Sequence, residues 1–460
     1  MFEKLANMFR IPDLRKRILF TLAMLAVYRL GNHIPTPGIN SDKLQQFFDQ
    51  NRGSFLGLVD MFSGGNLRRL TIFALGIMPY ITASIILQLL TVVYEPLAKL
   101  QKEGELGRKK ITQWTRYLTV ILSALQSLGI AVSLQKGDFV LNPGVSFTLM
   151  TILTLTTGSA FIMWLGEQIT ERGVGNGMSL LIFAGIVVGL PRGVADLYDK
   201  IRTNAWGAFT PVAIVLLLAV MIVVVAFIVF VERSERRMPV QYAKRVVGRK
   251  VMGGQSTHLP LRVNAGGVMP VIFASSILTL PQTIGYGLRD NRYFAPLIKA
   301  LGWGEPLYTL LYAIGIIFFA YFYVSIVFNP SEVADNMRKY GGFIPGIRPG
   351  KRTADYINEV LTHITLVGAL YLIIISFIPE WMITGIHLNH LPLWLGGGLF
   401  ERLPTWITNG LGVNFYFGGT SLLIVVGVAM DTVTQIEAQL IMRHYDGFTP
   451  RSGRIRGRRW

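Results

Sequence analysis

The chain has 460 residues, of which 51% are hydrophobic and only 15% are charged. Because soluble globular proteins carry about 25% charged residues, this composition excludes an ordinary soluble domain and indicates a polytopic membrane protein. A net charge of +18 indicates anionic partners, and the absence of cysteine excludes disulfides, thiol catalysis and thiolate metal sites.

Apolar segments long enough to cross a bilayer as helices recur along the chain. Ten are predicted, at residues 15–36, 71–93, 113–134, 146–168, 177–192, 208–231, 265–286, 307–328, 360–379 and 413–434. The first follows a basic N-terminus without a clear cleavage site, so we interpret it as a retained helix. The prediction is therefore a helical protein with ten membrane spans.

The distribution of positive residues gives the orientation. Ten spans place both termini on one side, and 31 of the 44 Lys and Arg residues fall on that side, against 13 on the other. Positive residues stay cytoplasmic, so both termini are predicted to be inside.

Two of the cytoplasmic loops, residues 232–264 and 329–359, are long and basic. They are interpreted either as topology determinants that contact anionic lipids or as ordered docking sites. The second interpretation is favoured because ordered loops of this length are usually functional.

Five spans followed by five suggest two halves of inverted topology, residues 1–192 and 193–442, with a basic tail at residues 443–460. Repeats of this kind commonly enclose a path at their interface. The outer loop at 381–413 is rich in Trp, which is typical of an interfacial hairpin.

An apolar segment at residues 55–69 is too short to span a bilayer. It could be a re-entrant half-helix that plugs a pore, because backbone at that depth is tolerated only inside protein or beside a watery cavity. It could equally be an amphipathic helix lying on lipid. The pattern of residues does not separate the two.

Several chemistries lack their sequence signatures. No Walker A motif and no His-Glu-x-x-His motif occurs, so we expect neither a P-loop ATPase nor a zincin. Gly-Met-Ser-Leu at 177–180 resembles a serine-protease fragment, but apart from His363 no His lies in a plausible partner helix, so an intramembrane protease is a third alternative with little support and we expect no enzymatic activity and no cofactor. Ionisable residues within the spans are few, namely Arg29, Arg116, Glu167 and His363. Ion-coupled carriers usually keep carboxylates at mid-membrane, so a secondary solute transporter with inverted repeats is the alternative rather than the first choice.

Motifs from about residue 10 to residue 445 carry a family resemblance. They include Phe-Ser-Gly-Gly at 62–65, Lys-Glu-Gly-Glu at 102–105, Gly-Ile-Arg-Pro-Gly at 346–350 and Tyr-Phe-Gly-Gly-Thr-Ser at 416–421, with further matches at 72–81, 164–173, 255–261 and 327–330. In this order they resemble the SecY family, the channel subunits of Sec protein translocases.

The resemblance implies an all-α fold in which two five-helix halves surround an hourglass pore. A lateral gate lies between the second and seventh spans, and residues 55–69 form a re-entrant plug helix. It also implies a channel of the bacterial inner membrane that translocates unfolded secretory polypeptides and releases hydrophobic segments laterally into the membrane. The implied partners are SecE, SecG, the ATPase SecA, the ribosome and its RNA, signal peptides, nascent polypeptides and anionic lipids.

Site residues are carried over by position. The pore ring falls on Ile81, Ile85, Ile182, Ile186, Ile277 and Ile424. The plug contains Asp60, Met61, Phe62, Ser63, Gly64, Gly65, Asn66 and Leu67. The lateral gate contains Gln88, Thr91 and Asn264, and the SecA or ribosome docking residues are Arg245, Arg249, Lys250, Arg348, Lys351 and Arg352. For the first four ring residues, spacing by four also puts each pair on one helix face, which ordinary helix packing would equally explain.

Overall fold

Long helices dominate the part of the chain that the computed structural model describes, which is residues 11–50, 60, 63–137, 139–203, 210–242, 245–247, 250–252, 256–286, 300–302, 305–383 and 419–446. The helices are α1 (Pro12–Gly31), α2 (Ser41–Gln50), α3 (Met78–Val93), α4 (Glu95–Lys102), α5 (Glu105–Lys136), α6 (Val145–Arg172), α7 (Gly177–Arg202), α8 (Thr210–Arg233), α9 (Met269–Tyr286), α10 (Pro306–Val327), α11 (Pro330–Lys339), α12 (Lys351–Ile383) and α13 (Gly419–Asp446). Ten of them, all except the short α2, α4 and α11, overlap the ten predicted spans.

Membrane crossing is supported for part of this set. Within the described residues, six helices are long and apolar enough to span a bilayer, and α3 with α4 adds a seventh if that pair, bent by 105°, is one span. The first predicted span does not meet the same criterion, because Arg15, Lys16 and Arg17 lie in the first turns of α1. The chain is a multi-pass membrane protein.

Several helix ends differ from the predicted ones. The second span was predicted from residue 71, but residues 71–77 form turns and α3 begins at Met78, with Pro79 in its first turn. Pro suits the first turn of a helix because its missing N–H is not needed there. In the other direction, α7 runs on to Arg202, so the boundary at residues 192 and 193 falls inside one continuous helix.

The helices meet around one large apolar cluster. Its buried members include Ile81 and Ile85 of α3, Ile182 and Ile186 of α7, and Ile424 of α13. The two predicted halves contact each other along two seams, where α9 packs on α3 and α5, and where α13 packs on α7. The largest core of the protein therefore lies between the halves rather than inside either one.

The two basic loops are not all-helical, which corrects the all-α prediction. The first loop forms β1 (Glu235–Tyr242), β2 (Arg245–Val247), β3 (Lys250–Met252) and β4 (Ser256–Arg262), and the second forms β5 (Gly342–Phe343). In β1 the buried Met238 and Val240 alternate with exposed residues, the period of two that a strand with one covered face requires. That short period is easily missed beside the much longer apolar segments.

Candidate functional site

The six predicted ring isoleucines lie on four helices and meet in the large apolar cluster between the two halves. Ile85 and Ile424 are completely buried, and Ile81, Ile182 and Ile186 are nearly so. Ile277 of α9 is partly buried and packs against the same cluster. All four helices that carry these residues, α3, α7, α9 and α13, take part in the two seams between the halves.

The structure describes the predicted plug only at Asp60, which is helical, and at residues 63–69, which form turns. Residues 63–69, here called the plug turn, include Gly64 and Gly65 with φ angles of +76° and +80°. Such angles interrupt a right-handed helix and are readily adopted only by glycine. Of the predicted plug residues, Met61 and Phe62 lie outside the described part of the chain.

Hydrogen bonds around Asp60 organise the plug turn. The Asp60 carbonyl accepts from the Ser63 hydroxyl at 2.9 Å and from the Gly65 N–H at 2.7 Å. Its carboxylate Oδ1 accepts from the Arg68 N–H at 2.9 Å, and Asn66 Nδ2 donates to the Ser63 carbonyl. A buried carboxylate is costly unless it accepts such bonds, so Asp60 has a structural reason to occupy this position.

The plug turn lies directly against the ring helix α7. A Cβ atom placed on Gly64 would lie 3.0 Å from the Cα atom of Gly185, so the two backbones touch without a side chain between them. Gly185 precedes the ring residue Ile186. On the other side, Leu67 packs in a separate apolar cluster with Leu44 of α2. The structure therefore brings the predicted plug and the predicted ring into contact.

The predicted gate residues divide between two sites. Gln88 and Thr91 lie one turn apart on α3, where the Thr91 hydroxyl donates to the Gln88 carbonyl at 2.7 Å. Asn264 instead donates to Glu232 Oε1 at 2.6 Å and to the Gly267 carbonyl, between α8 and α9. No hydrogen bond joins Asn264 to the two α3 residues.

The two basic loops form one platform. Strand β1 lies between β4 and β5, so a strand from the second loop pairs with the first loop through Gln241 and Phe343. A small apolar cluster that includes Met238, Ile344 and Ile357 fills the space beneath the sheet. The platform is therefore held by backbone pairing and its own core.

The predicted docking residues lie at two places on this platform. Arg245 and Lys250 are in the paired strands β2 and β3, and Arg249 lies outside the described residues. Arg348 is exposed and lies in a turn, where its own backbone carbonyl accepts from the Thr353 hydroxyl at 2.9 Å. Lys351 and Arg352 open α12, where the positive end of the helix dipole adds to their charge. That end of the platform suits an anionic partner.

The sequence analysis missed two contacts of acidic residues, Glu167 and Glu232. Arg116 of α5 and Glu167 of α6 form a two-pronged ion pair with both N···O distances at 2.9 Å. Glu232, one residue beyond the predicted span 208–231, is partly buried, which raises its carboxyl pKa, while the Asn264 hydrogen bond partly lowers it. Both pairs join residues that are distant in sequence, so local pattern gave no signal for either.

The chain matches known proteins over nearly its whole length. A family model for SecY matches residues 71–433. "Protein translocase subunit SecY" of Escherichia coli (strain K12) is 48% identical over 445 residues, which is 95% of this chain and 94% of that protein. The protein of the same name in Streptomyces galbus is 47% identical, covering 97% of this chain and all of the other.

Solved structures share the fold at lower identity. A chain described as "The structure of a protein conducting channel" has a TM-score of 0.62 at 16% identity and covers 95% of both chains. "Sec61 in the Canine ribosome-channel complex from the endoplasmic reticulum" has a TM-score of 0.58, also at 16% identity and 95% coverage of both. The family match and the identities of the bacterial relatives together establish that this chain belongs to the SecY family.

Proposed function

We propose that the chain is the protein-conducting channel of a bacterial Sec translocase, which translocates unfolded secretory polypeptides and releases hydrophobic segments sideways into the inner membrane. Membership of the SecY family over nearly the whole chain carries the proposal. The same membership gives no support to the alternative of a secondary solute transporter.

In this proposal the polypeptide passes between residues 1–192 and 193–442, through an hourglass pore lined by ten spans. Ile81, Ile85, Ile182, Ile186, Ile277 and Ile424 form its constriction. A collar of branched apolar side chains dewets when empty and yields to a passing chain, so it excludes ions in the resting state. The plug turn supports the seal from the outer side by its contact with Gly185.

The lateral gate would be the seam between α3 and α9. The polar contact across it is weak, because the Ser276 hydroxyl reaches Met78 Sδ at 3.9 Å. Apolar side chains of both helices also pack in the large cluster, and a hydrophobic segment can replace such contacts with its own side chains at little cost. Gln88 and Thr91 lie along the cytoplasmic half of the α3 side of this seam.

The cytoplasmic platform would be the docking site for the SecA ATPase and the ribosome. Exposed Arg348, between Gly-Ile and Pro-Gly, offers a fixed guanidinium fork, which suits carboxylate or phosphate partners. Contacts of Arg245, Arg249 and Lys250 with ribosomal RNA would release counterions and weaken with salt. Among similar structures, Sec61 was solved in a ribosome–channel complex.

The remaining elements follow the family. SecE and SecG are the proposed membrane partners, with both termini cytoplasmic and the basic tail at 443–460 bound to anionic lipids. The test is reconstitution of the chain with SecE, SecG and SecA in lipid vesicles. ATP-dependent protection of a secretory precursor from added protease supports the proposal. Vesicles that accumulate a small solute but never protect a precursor would favour the transporter instead.

A further inference from the structure

A small polar cavity lies where α1, the plug turn and α7 meet. Its volume is about 20 Å³, and its lining includes Arg29 and Asn32 of α1, Asn66 and Arg69 of the plug turn, and Gly185 and Ile186 of α7. Room for one water-sized particle begins at roughly 10–15 Å³, so a single small occupant fits. The cavity touches both the proposed plug and the proposed ring.

Two cations face this cavity without acidic neighbours in its lining. Arg29 and Arg69 are both half-buried, and neither forms an ion pair with any residue in the described ranges. Asp60, which precedes the plug turn, does not line the cavity, and its carboxylate accepts from the Arg68 N–H. Two guanidinium groups held at one half-buried site repel each other and gain from an anion between them.

A buried carboxamide adds an independent observation. Asn32 is 3% exposed, and neither its Nδ2 nor its Oδ1 atom has a hydrogen-bond partner. The Tyr28 hydroxyl, one turn earlier, interacts with both Asn32 and Asn66, but no contact of the Asn32 side chain meets the distance and angles of a hydrogen bond. A buried amide donor without a partner destabilises the fold, and a ligand in the cavity would remove that penalty.

Simpler explanations account for only part of the site. Arg29 is in the last turn of α1, where a cation complements the helix dipole. One water could satisfy Asn32. Neither explanation accounts for Arg69, a second cation that faces the same cavity.

We propose that one halide-sized anion, such as chloride, binds in this cavity between Arg29 and Arg69, accepts from the Asn32 amide and holds the plug turn against α7. Anion binding depends only on the cavity and its charges. The effect on the plug rests on the function proposed above.

The test uses the fact that the chain contains no cysteine. Ser63→Cys then introduces the only thiol, at a buried position in the plug turn. In membranes that contain the assembled complex, chloride or bromide replaces gluconate at constant ionic strength, and the rate of thiol modification is measured. If the thiol reacts only when the plug turn has moved away from α7, and the anion binds only when it has not, a halide at ten times its Kd slows modification roughly elevenfold.

Variants locate the effect. Arg29→Gln and Arg69→Gln should each raise the halide midpoint about tenfold, since each removes a charge-assisted hydrogen bond. Arg172→Gln, at an exposed arginine outside the cavity, should leave the midpoint unchanged. If Ser63→Cys does not assemble, thermal unfolding of the cysteine-free chain and of its Arg→Gln variants is measured in halide and in gluconate. A halide should then raise the unfolding temperature of the cysteine-free chain and of Arg172→Gln more than that of Arg29→Gln or Arg69→Gln.

Two results would overturn the inference. Equal modification rates in halide and gluconate would mean that a water occupies the cavity. A halide effect that all three Arg→Gln variants retain would place the anion elsewhere. Precursor translocation is measured in the same membranes, so normal translocation without a halide effect rejects the anion site alone, whereas lost translocation counts against the proposed function.

Discussion

Replacing Ile81, Ile85, Ile182 and Ile186 together with serine tests the seal proposed at the ring. Each change removes about three apolar carbons from a buried site, a loss of roughly 2.4 kcal/mol at about 0.8 kcal/mol per buried CH₂. Four sites lose on the order of 10 kcal/mol, an upper estimate because the unfolded chain already buries part of its surface.

Only the part of this loss that differs between the closed and open states affects gating. The side chains touch one another when the pore is closed and are separated by the passing polypeptide when it is open, so the closed state loses more. If about a fifth of the total, ~2 kcal/mol, discriminates the states, the closed-to-open ratio shifts roughly thirtyfold toward open, because 1.4 kcal/mol is tenfold. Weaker signal sequences should then pass.

The assay is single-channel recording of resting conductance in planar bilayers. The matched control carries serine at four exposed isoleucines on the outer surfaces of other helices, Ile121, Ile222, Ile314 and Ile374. Leucine at the four ring positions keeps volume and apolarity and should be tolerated. Equal resting conductance of the ring and control variants would refute the reasoning and reduce these residues to ordinary packing.

Three further predictions concern the plug, the docking platform and Glu232. Gly64→Ala should raise resting conductance, because its Cβ atom would meet the Cα atom of the facing glycine on α7. The control Gly104→Ala imposes the same left-handed backbone strain but has no atom within 4 Å of its Cβ atom, so it should not raise conductance, and equal conductance of the two variants would disprove the contact. Arg348→Glu should assemble normally but lose SecA-driven translocation, and Arg348→Lys should lose less; normal export by the Glu variant would remove Arg348 from the docking site. Burial raises the pKa of Glu232, so its contribution to stability is lost as pH rises from the ordinary glutamate range through the raised pKa. Glu232→Gln keeps an acceptor for Asn264, and its advantage over wild type in thermal unfolding should therefore grow as pH rises above the ordinary glutamate range, whereas a pH-independent difference would contradict the assignment.

Much of the helical layout follows from the sequence because long apolar segments have few alternatives in a bilayer. The turn before α7 also follows from local residue types, since Gly175 has φ +85° and the Asn176 side chain caps α7 by accepting from the Met178 N–H at 3.1 Å. Local residue chemistry was sufficient there.

Features that depend on distant pairing could not be predicted. β5 pairs with β1 across about a hundred residues, and Asn264 bonds to Glu232 rather than to the α3 residues with which family resemblance groups it. The contact of Gly64 with Gly185 likewise depends on how two backbones approach in space. Periodicity and composition contain no information on such approaches.

The most direct test of the central claim is cross-linking from the ring to a polypeptide arrested during translocation. Because the chain contains no cysteine, Ile85→Cys, Ile186→Cys and the exposed control Ile314→Cys each provide one reactive site. The proposed pore predicts disulfide formation between a cysteine in the arrested precursor and Ile85→Cys or Ile186→Cys, and none with Ile314→Cys. Cross-links at Ile314→Cys without any at the two ring positions would place the path outside the ring and contradict the account.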